Sequence, residues 1–132
     1  MVGVRVKTKD ETAKVRRKAR DGSIRSLGHA AGAVRLTARR SIKRSKNAAT
    51  PGQPPHTRRG QLKNAIAYAV EEQEQRAVVG SEFPGVGPSG MAHEHGGPFR
   101  GGNYPKRPFM GPALEKIKPR LPKEWADSIK GD

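Results

Sequence analysis

The chain has 132 residues, 27 Lys or Arg against 12 Asp or Glu, a net charge of +15, 33% hydrophobic residues and no cysteine. That is one domain's length with a modest core. It excludes disulfides and thiolate metal sites, and no run approaches the ~18 apolar residues of a membrane span. Met1-Val-Gly-Val-Arg-Val is too short and too charged for a signal peptide, which fits a protein made in cytoplasm.

The charge is unevenly placed. Residues 1–60 hold 17 Lys or Arg against 3 Asp or Glu, whereas residues 61–132 hold 10 against 9. The first half should attract polyanions or acidic protein surfaces.

Val2 to Lys7 alternates apolar and polar residues, which predicts a short strand. A helix follows from about Glu11 to Arg20, and Asp21-Gly22 predicts a break. A longer helix runs from Ser23 to about Ser45, with Ile24, Leu27, Ala31, Val34, Ala38 and Ile42 forming one stripe. Residues 46–60 read as a loop, and Pro54-Pro55 favours an extended arm. Gln61 to Ile66 suits a helical turn. Ala65–Val70 and Arg76–Val79 read as strands joined by a polar connection, Glu71 to Gln75.

Ser81–Gly90 reads as a loop, Met91–His95 as a short strand or sheet edge, and Gly96–Pro105 as a mobile Gly-rich stretch. Pro105 and Pro108 then hold the backbone extended before a helix that begins near Gly111 and ends near Lys118. Pro112 sits just inside its start, where a missing N–H costs nothing. Pro122 opens a final turn carrying Trp125 and Ile129, which with Leu121 make a small apolar stripe. The order predicts an α+β domain: a small antiparallel sheet of three to four strands, with the long helix and a C-terminal helix on one face.

Motifs for chemistry are weak. Gly85-Val-Gly-Pro-Ser-Gly90 matches G-x-G-x-x-G literally, but Phe83-Pro84 precedes it, a strand-like segment follows and Pro88 lacks an N–H, so it reads as a plain loop. On a strand, His93 and His95 share a face, yet two His make an incomplete zinc site. His56 or His29 could add a third ligand; the simpler reading is packing at a sheet edge or subunit contact. No nucleophile–base constellation is visible, so no catalytic residue and no cofactor is expected. The basic block from Arg5 to Arg59 is the strongest signal, and Arg35, Arg39, Arg40, Lys43 and Arg44 lie mostly off the apolar stripe. They fit contact with DNA phosphates, with an acidic neighbour, or with solvent. No Phe, Trp or Tyr interleaves this block, which argues against base stacking.

Four passages carry a resemblance to a known family. Pro51-Gly-Gln-Pro-Pro-His-Thr-Arg-Arg-Gly-Gln-Leu-Lys-Asn-Ala-Ile66 resembles that family's P-G-x-P-P…G-x-L-x-x-x-I passage. Val78-Val-Gly80 resembles the strand end that follows it. Glu94-His95-Gly96 resembles its acidic step before a Gly-rich loop, and Arg107-Pro-Phe-Met-Gly-Pro-Ala-Leu114 resembles its R-P-F-L/M-x-P-A-L signature. The family is the neck or tail-completion proteins of long-tailed bacteriophages. Residues 50–117 carry the likeness; His95 stands where an aromatic is common, and Arg59-Gly60 where the family has Thr-Gly.

The resemblance implies a structural virion protein in a single domain, residues 1–132, made in the host bacterial cytoplasm and located at the head–tail junction. It implies a ring, hexameric in expectation, around the DNA passage. The ring would join a connector or head-closure protein to a tail terminator or tube protein. Arms at 46–60 and 97–108 would clasp neighbours, with Pro54, Pro55, His56, Arg107, Phe109, Met110 and Trp125 as candidate inter-subunit contacts. The basic first half would line the lumen beside genomic DNA or dock on an acidic connector. A rival reading from charge alone is a small nucleic-acid-binding protein. A tail terminator or minor tail protein in an adjacent layer is a third.

Overall fold

A computed structural model describes residues 11–81 and 86–126. The expected strand at Val2–Lys7, Gly85 of the glycine motif and Ile129 lie outside them.

The first element is one helix, α1 (Glu11–Ser41), of 31 residues and ~46 Å. The expected break at Asp21-Gly22 does not occur. Gly22, Ser26, Ala30, Val34, Ala38 and Ile42 recur every four residues and all are buried. Gly22 therefore begins the packed row, and burial of that row outweighs the roughly 1 kcal/mol that a helical Gly costs. The helix stops at Ser41 rather than near Ser45. Lys43–Arg44 (β1) instead pairs in parallel with His56–Thr57 (β2).

Gln61–Ala65 (α2) turns the chain into Ile66–Glu71 (β3), which pairs antiparallel with Arg76–Ser81 (β4), Ile66 opposite Ser81 and Glu71 opposite Arg76. Ile66, Tyr68 and Val70 alternate toward α1, where Tyr68 and Val70 approach Gly32 and Gly28. Val86–His95 (α3) is a helix, although Met91–His95 reads as a strand. Five residues of alternation suit either period, and tertiary packing decides. Gly90 and Ala92 are buried, and a Cβ added at Gly90 would lie 2.5 Å from Ser81 Oγ. Only glycine lets α3 approach the end of β4 so closely. Gly96, at φ 71, ends the helix in the left-handed conformation, its N–H donating to Ala92 O at 2.8 Å.

Gly97–Phe99 (β5) and Gly102–Tyr104 (β6) then form a tight hairpin where the composition suggests a mobile stretch. Its two turn residues, Arg100 and Gly101, both have positive φ, the geometry of a type I′ turn. Met110–Ile117 (α4) leads through a 3-10 turn, Lys118–Arg120, into Leu121–Ala126 (α5).

The fold is mixed α and β, as expected. Its strands form three separate two-stranded ladders among the described residues. The larger expected sheet is not assembled there because Met91–His95, a candidate third strand, is helical.

The core gathers Val34 and Ala38 of α1, Ile42 just after it, Leu62 of α2, Ile66 of β3, and Phe109, Ala113 and Ile117 around α4. α5 docks on the middle of α1: Ser26 Oγ donates to Glu124 O at 2.6 Å and Trp125 Nε1 donates to Ser23 Oγ at 3.2 Å. No helix among the described residues is long and apolar enough to cross a membrane.

Candidate anion-binding surface

The functional geometry rests on how α4 begins. A helix leaves its first N–H groups without internal partners. Here the Glu94 carboxylate, on α3, accepts from Phe109 N at 2.8 Å, Met110 N at 2.9 Å and Gly111 N at 2.8 Å. The next residue, Pro112, has no N–H, so every early donor is accounted for. Burial alone would raise the Glu94 pKa. The three backbone donors, with help from His95, hold it below the usual carboxylate range.

The two expected arms are pinned to the body and to each other. Gly52 N donates to Lys106 O at 2.8 Å, Ser45 N to Thr57 O at 3.1 Å, and Arg107 N to His93 O at 2.6 Å. Arg107 Nε donates to Ala49 O at 2.7 Å. Several expected inter-subunit contacts are thereby used within the protomer. Phe109 is 1% exposed and central to the core, and Pro55 is equally enclosed, so neither faces outward. His56 is half-buried with Nδ1 bonded to Asn47 O. Trp125 is half-buried against α1. Pro54, Met110 and Arg107 keep partial exposure.

The five cations singled out in the sequence divide as well. Arg35 Nε donates to Ile66 O at 2.8 Å, and Arg44 Nε to Arg58 O at 3.2 Å. Arg39 reaches the Asn64 side chain. Arg35 and Arg44 thus bind backbone carbonyls of their own fold, which limits them as free contacts. Arg40 and Lys43 are exposed.

Arg40 lies in a cleft of about 380 Å³ between α1 and α4, lined also by Lys116 and Arg120. The nearly neutral second half thus supplies two cations to a basic cleft, which the sequence tally alone does not reveal. A second locus is the start of α1. Residues 12–18 and 20 are all exposed, among them Lys14, Arg16, Arg17, Lys18 and Arg20, and Val15 is 56% exposed.

The third locus is a cavity of about 640 Å³ lined by Arg58, Arg100, Arg107, His56, His93 and Tyr104, among others. His93 and His95 are two apart on a helix, about 200° around its axis, so they do not share the face that a strand would give them. His93 points into this cavity beside Tyr104, at a ring distance of 5.9 Å, while His95 is exposed. No cluster of three His, Cys, Asp or Glu that could hold a metal occurs among the described residues.

Among the described residues, Lys and Arg form ion pairs with carboxylates only at Arg76–Glu71 and Lys118–Glu115. Among the described residues the basic surface is therefore largely left without carboxylate partners.

Comparison with family models, with curated proteins and with solved structures finds no match. Function is accordingly read from this chain's own geometry and from the sequence resemblance.

Proposed function

We propose that this protein is a structural subunit of the head–tail junction of a long-tailed bacteriophage, a neck or tail-completion protein that assembles into a ring, hexameric in expectation. It joins a connector or head-closure protein to a tail terminator or tube protein around the DNA passage, and it does so by assembly rather than by chemistry. The observation that carries this reading is the convergence of the four family-like passages on one another. The 51–66 passage meets the end of the 97–108 segment through Gly52 and Lys106. Glu94 of the third passage caps the helix opened by the fourth. Leu62, Ile66 and Phe109 share one core, with Val79 at its margin. Together these contacts make residues 51–114 one packed unit, the arrangement a ring subunit with clasping arms calls for.

In this reading the strands belong to a small antiparallel sheet of three to four strands. The exposed cations, above all Lys14 to Arg20 and the Arg40 cleft, meet genomic DNA in the lumen or an acidic face of the connector. Electron cryomicroscopy of particles carrying the protein tests the proposal. Density for this chain as a ring at the head–tail junction is the expected result. Absence of the protein from the particle defeats it, and a ring one layer away makes it a tail terminator or minor tail protein instead.

The same exposed cations favour a second reading, a small nucleic-acid-binding protein. That reading requires the free chain to bind duplex DNA with a steep salt dependence, log Kobs falling by about 0.9 per phosphate contact for each unit of log salt. The junction reading requires stable assembly only with partner rings.

A further inference from the structure

The cavity between β2, α3 and the β5–β6 hairpin has a composition that the ring reading does not use. Arg58, Arg100 and Arg107 line it, with His56, His93 and Tyr104, and no Asp or Glu lines it among the described residues. None of these arginines has a carboxylate partner among the described residues. Like charges gathered in a concave site raise its potential and select an anion.

Two of the three cations, Arg100 and Arg107, are held in place by the fold. The type I′ turn fixes Arg100 at φ 47, and its guanidinium lies over the Phe99 ring, 5.2 Å from the centroid. Phe99 meets Tyr104 edge-on at 5.4 Å, and Tyr104 meets His93 at 5.9 Å. Arg107 is held by its Nε bond to Ala49 O, which leaves its terminal nitrogens as donors. His93 Nδ1 is buried without a hydrogen-bond partner among the described residues, and a buried polar atom of that kind costs stability until a ligand or water satisfies it.

We propose that this cavity is a phosphate-binding site, in which Arg58, Arg100 and Arg107 clamp the oxyanion and the His93 ring supplies a further hydrogen bond. A single carboxylate would neutralise one of three fixed positive charges. A phosphate dianion neutralises two and offers oxygens enough for several N–H donors at once. The phosphate is either free or the terminal group of a nucleic acid strand, and both present the same dianionic head.

The full chain is titrated with inorganic phosphate while the His93 ring signals and the phosphorus resonance are followed by NMR. The expected result is saturable movement of the His93 signals with matching change in the phosphorus line. Arg58→Gln together with Arg100→Gln, two exposed side chains outside the core, should weaken binding at least about tenfold while leaving the thermal midpoint unchanged.

A short duplex bearing 5′-phosphates, compared with the same duplex without them, separates the sources. Preference for the phosphorylated duplex assigns the strand end, and equal behaviour of the two assigns free phosphate. Absence of any His93 response at millimolar phosphate overturns the proposal, as does unchanged affinity in the double variant. These outcomes are read on the isolated chain, so they stand or fall separately from the ring at the junction.

Discussion

The two ends of α1 are one continuous helix with opposite surroundings. From Gly22 to Ile42 every fourth residue is buried, and the row packs against β3–β4, α4 and α5. From residues 12 to 18 every side chain is exposed, and four of those seven are Lys or Arg. A helix that is polar and exposed all round gains nothing from a core, and an isolated stretch this short is marginal in water. Its helicity is sustained by continuity with the packed half. The packed end thus accounts for itself within the protomer, and the other end presents an exposed basic surface.

The contrast between the two ends breaks hardest at Phe109. Phe109→Ala empties the centre of the core that the packed half of α1 closes, and should cost about 3–5 kcal/mol in denaturant unfolding. Val15→Ala at the projecting end should stay within about 0.5 kcal/mol. Comparable losses at the two sites would mean that the start of α1 is packed after all.

Glu94→Gln tests the brace beneath that core. The amide keeps the shape but replaces charge-assisted acceptance from Phe109, Met110 and Gly111 with a neutral acceptor. A loss of about 1–2 kcal/mol is expected, at the modest end because the carboxylate is half-exposed. The pH dependence follows from the lowered pKa. The contribution is fully present above the unfolded value near 4.5 and is lost as pH falls through the lower folded value. The variant's acid limb should be shallower than the parent's; identical limbs would remove Glu94 from that role.

His93 should have a smaller effect of opposite origin. Burial, and then the Arg107 charge, push its pKa below the ordinary histidine value. The unfolded chain therefore binds the proton more readily between the folded value and about 6.5. Stability is complete above that upper bound and declines as pH falls toward the folded value. His93→Gln should flatten this limb. A parent profile that is level through this range would deny the burial.

How much of the molecule is legible in its sequence follows the range of the interactions. The apolar periodicity of α1, the β3–β4 pair and the helix after Pro108 are local patterns, and each can be read from sequence. Asp21-Gly22 reads as a break because a local rule cannot see that Gly22 begins a packed row. Met91–His95 reads as a strand because five residues do not separate a period of 2 from 3.6, and the deciding approach is Gly90 against Ser81. Glu94 capping a helix fifteen residues later is invisible to local capping rules, which look three or four residues away. The cavity gathers β2, α3 and the hairpin, and no spacing in the chain announces it. Phe109 reads as an outward anchor for a related reason: hydrophobicity marks a residue for burial without saying by whom.

The smallest stability effect carries the most functional weight. Replacing Lys14, Arg16, Arg17, Lys18 and Arg20 with Gln removes five exposed charges that have no carboxylate partner among the described residues, and Gln keeps helix propensity close to that of Lys and Arg. Unfolding free energy should change by less than about 0.5 kcal/mol per site, with relief of self-repulsion acting to raise it. Polyanion binding should respond quite differently. If each cation meets one phosphate, the slope of log Kobs against log salt for duplex DNA becomes shallower by about 0.9 for every phosphate that is no longer neutralised. A five-site variant with an unchanged slope and normal rings would place the projecting end against protein or solvent rather than nucleic acid. A shallower slope with unchanged stability would sharpen the division of α1 into one end that builds the subunit and one that engages DNA.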